Sequence, residues 1–481
     1  FVLNEDQVNV DPSLQDWIQD LAPLTSVLVI PTHELGPVFT ALAVRDIVDD
    51  EPVIISYCDF YVEWNYQSFL REVHGWDAGI PAFKGLHPAS FGKTYYAYMR
   101  VDAANRMLEL REKNSFTARR HEEYASAGIY YFKSWGLFRL YAEKLIAEGF
   151  GELAEGYVSL LANMLVEDGL GVKVSEVEKF ICWGTPEDLE HYIFWSKYCS
   201  TTSSSSDSLS SMVNRNQINL IPMAGSGSRF KKEGYRTGKP LITVGQVPMM
   251  IRACRSFPRP QTWLYIVRAE DLRQHPLKST ISESLKDDFS VIPVEGETTG
   301  QAATCLLAKE YVDLDSPLFI ASCDYETIYS VDRWQEITAD ESVDAAIWIT
   351  RLGANLTKNP SAFGYCKTTP GTNEVTSIKE KETISDNPAN DPLIVGSFWF
   401  RKASDFMGAA EKAIEENRTI NGEHYVANSM NYLIEQKKRI VIFEVDQWIS
   451  FGDPFELDIY LYWTQYFSER YQRIPSDGNY F

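Results

Sequence analysis

Two long stretches of this chain repeat one another, so whatever it folds into must be something a chain can build twice. LVIP from Leu28 matches SVIP from Ser290, and HELGPVFTAL from His33 follows the first as ETTGQAATCL from Glu297 follows the second. EPVIISYCDFYVEW from Glu51 then corresponds to SPLFIASCDYETIY from Ser316, which sets Asp59 opposite Asp324. Farther along, Glu112-Lys113 pairs with Glu380-Lys381, AGIYYF from Ala127 with VGSFWF from Val395, EGYV from Glu155 with EHYV from Glu423, and FICWGTPEDL from Phe180 with WISFGDPFEL from Trp448, all at one spacing. Chance likeness of two apolar strands would not hold one register through so many elements.

Between the copies lies STTSSSSDSLSSMVNRNQ, too polar and too low in complexity to pack, which reads as a flexible linker. The expected division is an incomplete first domain over 1–199, the linker over 200–217, a complete second domain over 218–470 and a tail over 471–481. FVLNED at the start already corresponds to YIVRAED around Tyr265, so the first copy has no counterpart of 218–264. Either the sequence is part of a longer chain or that segment was lost; both readings stay open.

In the second copy, apolar runs near 218–223, 262–267, 289–293, 317–321 and 345–350 alternate with helical patterns near 248–256, 278–286 and 300–311. That alternation predicts an α/β fold with a mainly parallel sheet covered on both faces. SAFGYCKT, VTSIKE and LIVGSFWF add mixed or antiparallel strands, with helices at 403–417 and 423–436. Ligands of such sheets bind where loops converge at the carboxyl ends of the strands.

The first of those strands runs into a glycine-rich turn. Gly225 and Gly227 have no Cβ to block a close approach, so the amides from Ala224 through Ser226 and Ser228 to Arg229 can line a concave site for phosphate oxygens. Arg229 and Lys239 add a planar fork and a point charge. No Gly-Lys-Ser/Thr follows at Walker spacing, GSGSRF lacks the third glycine of a dinucleotide fingerprint, and Pro240 stops a long helix.

The whole of this segment, strand, GSGSR, a basic stretch with Lys231, Lys232 and Arg236, then Gly-Lys-Pro-Leu-Ile, resembles the signature loop of the sugar-phosphate nucleotidylyltransferases, the NDP-sugar pyrophosphorylases. The resemblance covers 218 to about 462, with a partial second match over 1–199. It implies two Rossmann-like, GT-A-like nucleotidyltransferase domains, the activity in the C-terminal one. The implied reaction is Mg²⁺-dependent: an NTP and a sugar 1-phosphate, or a similar phosphorylated compound, give an NDP-sugar and pyrophosphate. The members most like this chain serve capsule and surface-polysaccharide synthesis.

Residue by residue, the resemblance assigns Arg229 and Lys239 to the triphosphate and Asp324, at the end of PLFIASCD, to catalytic Mg²⁺ as a hard oxygen ligand. Taken alone, Asp324 serves equally as a helix cap. A second metal-binding Asp is expected two residues before the Gly of a late W-x-D-x-G-T-like segment, where this chain has Ser450; Asp453, just past that Gly, is the substitute. The first copy has Cys182 and Thr185 there. Gly300-Gln301 opens a helix and would read the nucleobase edge, the bland alternative being a surface Gln at a helix start. Glu380 and Lys381 would hold the sugar hydroxyl and phosphate, where charge patterning alone suggests a solvated face. Gly364, Gly396 and Glu423 complete the sugar pocket. The first copy keeps Glu112-Lys113 and Gly128 but has Ala97 opposite Gly364.

Composition narrows the alternatives. With 481 residues, 44% of them hydrophobic, the chain can bury several cores. A formal charge of −22 argues against broad binding to nucleic acid or anionic membrane. No apolar run approaches a bilayer span and FVLNEDQVNV is not a signal peptide, so a soluble, cytoplasmic protein is expected. The seven cysteines form no Cys-x-x-Cys pair and read as reduced core thiols rather than a zinc site. The aromatic helix IYLYWTQYF reads as packing, with self-association into a homo-oligomer as its other use. Two competing functions remain: a non-catalytic nucleotide or sugar-phosphate binding module, and a metal-dependent glycosyltransferase, for which Asp324-Tyr325-Glu326 offers only Asp-x-Glu.

Overall fold

The computed structural model describes residues 1–92, 94–204, 213–285, 287–353 and 359–473. The chain divides into two compact units, Phe1–Leu189 and Glu190–Phe481. Of the expected linker, 200–204 complete the helix Pro186–Ser204 and 213–217 begin the strand Val213–Met223, while 205–212 lie outside the described residues. The Ser200 and Thr201 hydroxyls donate back to the Lys197 carbonyl, which lets polar residues stay helical. The expected tail starts inside the helix Pro454–Arg473, and 474–481 lie outside the described residues.

The second unit is built on a nine-stranded mixed sheet. Its order is Asp288–Val294, Arg259–Arg268, Val213–Met223, Leu318–Ile320, Leu393–Phe400, Ala345–Thr350 and Ile440–Glu444, and the hairpin Gly364–Thr368/Val375–Glu380 attaches to Leu393–Phe400. The ladders from 288–294 to 318–320 are parallel, and those on either side of Leu393–Phe400 antiparallel. The period-2 pattern of the strands divides the core cleanly. Leu220, Ile266, Ile320, Ile347 and Phe398 face one side, while their neighbours Ile221, Tyr265, Phe319, Trp348 and Trp399 face the other, all buried. Both faces are therefore covered, as a parallel sheet requires.

Helices Gln301–Leu306 and Ala403–Glu415 cover the aliphatic face, and Met249–Arg255 the aromatic one. The helix expected at 423–436 is two short ones, Val426–Ser429 and Asn431–Glu435. The reason is Asn431, whose amide bonds both the N–H and C=O of Ile378 and so ties the break to the hairpin.

The first unit has a seven-stranded sheet of order Val53–Ser56, Ile129–Phe132, Ala78–Phe83, Tyr124–Ser126, Ala97–Val101 and Met107–Glu112, with Val172–Glu176 parallel to Ala78–Phe83. Its remaining ladders are antiparallel, a larger antiparallel share than alternation alone suggests. Val2–Asn4 lies parallel to Leu28–Ile30. Ile80, Met99, Phe132, Phe138 and Leu161 fill its core. All seven cysteines are free thiols. Among the described residues no helix is long and apolar enough to cross a membrane.

Candidate active site

The site of the second unit begins at the carboxyl end of the central strand Val213–Met223. Gly227, at φ +63°, turns the chain into the short helix Ser228–Lys232, and a Cβ there would lie 3.2 Å from the Lys239 Cβ. Gly238 packs as closely: its Cβ would stand 2.8 Å from Asp271 Oδ1. That carboxylate is buried and gripped at 2.7 and 2.9 Å by the Arg268 guanidinium. Two glycines thus seat Lys239 between the loop and a fixed ion pair. Its Nζ donates to Asp324 Oδ2 at 2.5 Å, just past the end of the neighbouring parallel strand. Burial is the largest single influence on Lys239 and works to lower its pKa, but the charge of Asp324, its hydrogen bond and the neighbouring Cys323 together hold the ammonium above its usual range.

A cleft of about 330 Å³ opens here. Of the residues singled out from the sequence, Arg229, Gln301, Asp324, Gly364, Glu380, Lys381 and Gly396 line it. Lys239 reaches it through Asp324 and Asp453 through Arg229 Nη1, 3.1 Å from Asp453 Oδ2. Ala224, Gly225, Ser226, Gly227 and Ser228 border it as the loop before Arg229 but do not line it. A Cβ at Gly225 would meet nothing within 4 Å, so no protein contact demands glycine there.

The opposite wall is the hairpin. Gly364 pairs with Glu380, and a Cβ on it would fall 2.5 Å from Glu380 Oε2, so glycine is what lets the carboxylate lie across the strand. Burial pushes Glu380 up to about 7, with Lys381 pulling the other way. Lys381 sits at φ +58° and donates its ammonium to the Ala362 carbonyl, 5.6 Å from the Tyr425 ring centre. Gly396, at φ +96°, lies against Tyr325, whose hydroxyl is 2.6 Å from Ser397 Oγ. Gly300, at φ +121°, meets the backbone of His424, where a Cβ would be 2.5 Å from its nitrogen. Gln301 Nε2 is 3.5 Å from Ser322 Oγ. Glu423 is exposed and does not line the cleft; Tyr425, two residues on, does.

One carboxylate escaped the sequence reading. Ser450, where an acid was expected, donates its hydroxyl to Glu456 Oε2 at 2.7 Å, and the Gly452 amide donates to the same oxygen at 3.1 Å. A Cβ on Gly452 would lie 2.9 Å from Asp324 Oδ2 and 3.5 Å from Glu456 Oε2, so both acids border one small space. Asp453 instead pairs with Arg229 and accepts from the Glu456 amide at 3.0 Å. The signal was in the repeat: Asp188 holds the equivalent position in the first unit, with Cys182 Sγ 3.4 Å away. Glu326 does not join Asp324, because it is buried against Arg252 at 3.0 Å and the Tyr198 hydroxyl at 2.7 Å. An Asp-x-Glu metal grip of the glycosyltransferase kind is therefore not formed.

No family model matches this sequence, and no curated protein matches it. Solved structures similar to the chain are NDP-sugar pyrophosphorylases and sugar-phosphate nucleotidyltransferases. One is the nucleoside-diphosphate-sugar pyrophosphorylase of Vibrio cholerae RC9, at 23% identity and a TM-score of 0.42 over 51% of this chain and 99% of that one. Another is the inositol-1-phosphate CTP transferase of T. maritima, at 11% identity and a TM-score of 0.40 over 52% and 96%. A third is a UTP-bound UDP-glucose pyrophosphorylase of Acinetobacter baumannii, at 15% identity and a TM-score of 0.41 over 54% and 99%.

Proposed function

We propose that the second unit transfers a nucleotidyl group from an NTP to a sugar 1-phosphate or similar phosphate monoester, releasing pyrophosphate. What supports this most is one cleft with Asp324 and its lysine on one wall and Glu380-Lys381 on the other. A monoester is already an anionic nucleophile near neutral pH, so little acid–base work is needed. Its oxygen attacks the α-phosphorus, the bond from that phosphorus to the bridging oxygen breaks, and pyrophosphate leaves with the electron pair. The barrier lies in bringing two polyanions into line. Lys381 would hold the acceptor phosphate and Glu380 an acceptor hydroxyl, with Gly364 and Gly396 around the sugar and Tyr425, rather than Glu423, beside them. Arg229, Lys239 and the loop 224–228 would take the triphosphate, and Gln301, after Gly300, the base.

Among the described residues no group of three or more His, Cys, Asp or Glu is gathered for a metal, so a hard divalent cation would rest on two carboxylates and on the substrate's phosphates. A cationic group already sits on Asp324, and Glu456 brings a second carboxylate to the same side of Gly452. Asp324 and Glu456 would hold Mg²⁺, whose contribution is to neutralise phosphate charge. Asp453 serves Arg229 instead. The test is pyrophosphate release across a panel of NTPs and sugar 1-phosphates with Mg²⁺. Release with at least one pair is expected; silence across the panel, from a folded chain that binds nucleotide, would leave only a binding module.

A further inference from the structure

We propose that Tyr198 is a positioning residue of the second unit's site: through Glu326 it holds the strand that presents Asp324, so a helix with no side chain in the cleft is part of the working unit. The inference rests on the reading of Asp324 as a carboxylate that holds the cation beside the phosphates.

The starting observation is a buried polar cluster that the proposed chemistry does not use. Glu326 is 7% exposed and has both oxygens engaged, Oε1 by the Tyr198 hydroxyl at 2.7 Å and Oε2 by Arg252 Nη1 at 3.0 Å. The Tyr198 oxygen is also 3.5 Å from the Tyr460 hydroxyl, and the Arg252 guanidinium lies 5.4 Å from the Tyr460 ring centre. Burial holds the proton on Tyr198, so its hydroxyl donates to the carboxylate. Folding alone does not call for this arrangement, because a buried ion pair is often no more stabilising than apolar residues of the same size. The repeat makes the same point: Tyr61 pairs with Ile181 as Glu326 pairs with Ile449, in the copy that has no counterpart of Arg252. That strand can therefore be built without the acid.

What sets the cluster apart is where its members attach. Glu326 is two residues beyond Asp324 on Tyr325–Ile328, a strand that pairs with Gln447–Ser450 and so with the serine that donates to Glu456. The Phe451 amide donates to the Asp324 carbonyl at 3.1 Å, which carries the ladder up to that residue. Tyr460 follows Glu456 by one helical turn, on the same face of Pro454–Arg473. Arg252 Nε donates to the Val244 carbonyl at 3.2 Å, a little beyond Lys239. One cluster therefore touches the segments that carry Lys239, Asp324 and Glu456.

Tyr198 closes it from a helix of its own. That helix is Pro186–Ser204, whose residues 190–204 belong to the second unit and of whose described residues none lines the cleft. A second bond ties it to the same pair of strands, from the buried Gln447 Nε2 to the Phe194 carbonyl at 3.1 Å. Without the Tyr198 hydroxyl one buried carboxylate oxygen loses its donor, and the strand that carries it must shift to find another. Asp324, at the head of that strand, shifts with it.

The experiment uses the whole chain and compares Tyr198→Phe with Tyr432→Phe. The second also takes a tyrosine hydroxyl from a carboxylate, that of Glu416 at 2.6 Å, but on the aliphatic face of the sheet. Hydrogen exchange reads the strand and electron paramagnetic resonance of Mn²⁺ reads the carboxylates, neither needing turnover. Tyr198→Phe is expected to speed exchange over 325–328 and at Phe451 at least about fivefold, the scale of one net hydrogen bond. It is also expected to weaken Mn²⁺ binding at least about threefold, and Tyr432→Phe to do neither. Unchanged exchange in that strand overturns the inference, as does faster exchange with Mn²⁺ affinity kept, or an equal loss in both variants. A native chain that takes up no Mn²⁺, with the strand still loosened by Tyr198→Phe alone, would instead overturn the reading of Asp324 and leave this one standing.

Discussion

Lys239 places its ammonium 2.5 Å from an oxygen of Asp324, 85 residues farther along the chain, in a pair whose side chains are only 20% and 26% exposed. Each neutralises a charge that the other would leave stranded, and both adjoin the cleft. Replacing Lys239 by Ala, or Asp324 by Asn, is expected to lower nucleotidyl transfer at least about a hundredfold, the scale of one lost transition-state charge contact. Steady-state pyrophosphate release, with circular dichroism to confirm folding, checks this; near-normal turnover in either variant would remove the assignment.

Glu456, not Asp453, should govern metal affinity. Glu456→Gln is expected to weaken Mn²⁺ binding at least about tenfold, the lower end of what even supporting ligands contribute, while Asp453→Asn leaves it within a factor of about two. Electron paramagnetic resonance of free Mn²⁺ reads both without any turnover. The opposite ranking would return the role to Asp453.

Gly452→Ala tests the space between the acids. The new methyl would press on Asp324 Oδ2 from 2.9 Å, and a short carboxylate can yield only by leaving its position beside Lys239. Turnover should fall at least about tenfold, with a smaller loss of stability of about 1 kcal/mol as the Asp324–Lys239 pair is pushed apart. Unaltered turnover would mean that Asp324 acts from elsewhere.

Glu380 carries a pH dependence. Burial raises it from 4.5 to about 7, so the folded chain binds more protons than the unfolded one between those values. Its contribution to stability is full below about pH 4.5 and is lost as pH rises through 7, roughly 3 kcal/mol in all. Glu380→Gln should flatten that part of the stability curve. If the ionised form accepts the sugar hydroxyl, kcat/KM for the acceptor rises with pH through about 7 in the native chain and loses that inflection in Glu380→Gln. The acceptor's own phosphate also titrates nearby, so the difference between the two profiles is the measurement.

Gly300→Ala should destabilise the second unit by at least about 2 kcal/mol, because a left-handed φ and a backbone contact oppose the methyl together. The neighbour is the His424 nitrogen at 2.5 Å, not a side chain that can swing away. Urea denaturation measures the loss; a change under about 0.5 kcal/mol, typical of a surface site, would mean that the approach relaxes freely.

Much of this architecture was legible beforehand because it rests on local periodicity. The apolar alternation around Leu220, Ile320 and Ile347 marks strands wherever they end up, and a glutamate-lysine pair closing a strand is visible at any register. What was not legible depends on distant geometry. That Glu456 bends back to Ser450 follows from how the helix Pro454–Arg473 leaves its strand, and nothing in WISFGDPFEL states that angle. Asp453 is nearer in sequence, yet it serves Arg229, which comes from the other end of the unit. The helix expected across 423–436 failed for a similar reason: Asn431 answers to Ile378 across the fold, and helix propensity carries no trace of that.

The contact between Gly300 and His424 also has a use in comparing sequences. Two stretches 124 positions apart touch backbone to backbone, and so do Gly36 and Gly156 in the other unit. A distant relative that carries a bulky residue at the first of either pair has moved the second stretch outward, and with it the tyrosine that follows. In the second unit the first glycine thereby sets how closely Tyr425 can stand against the cleft that it lines.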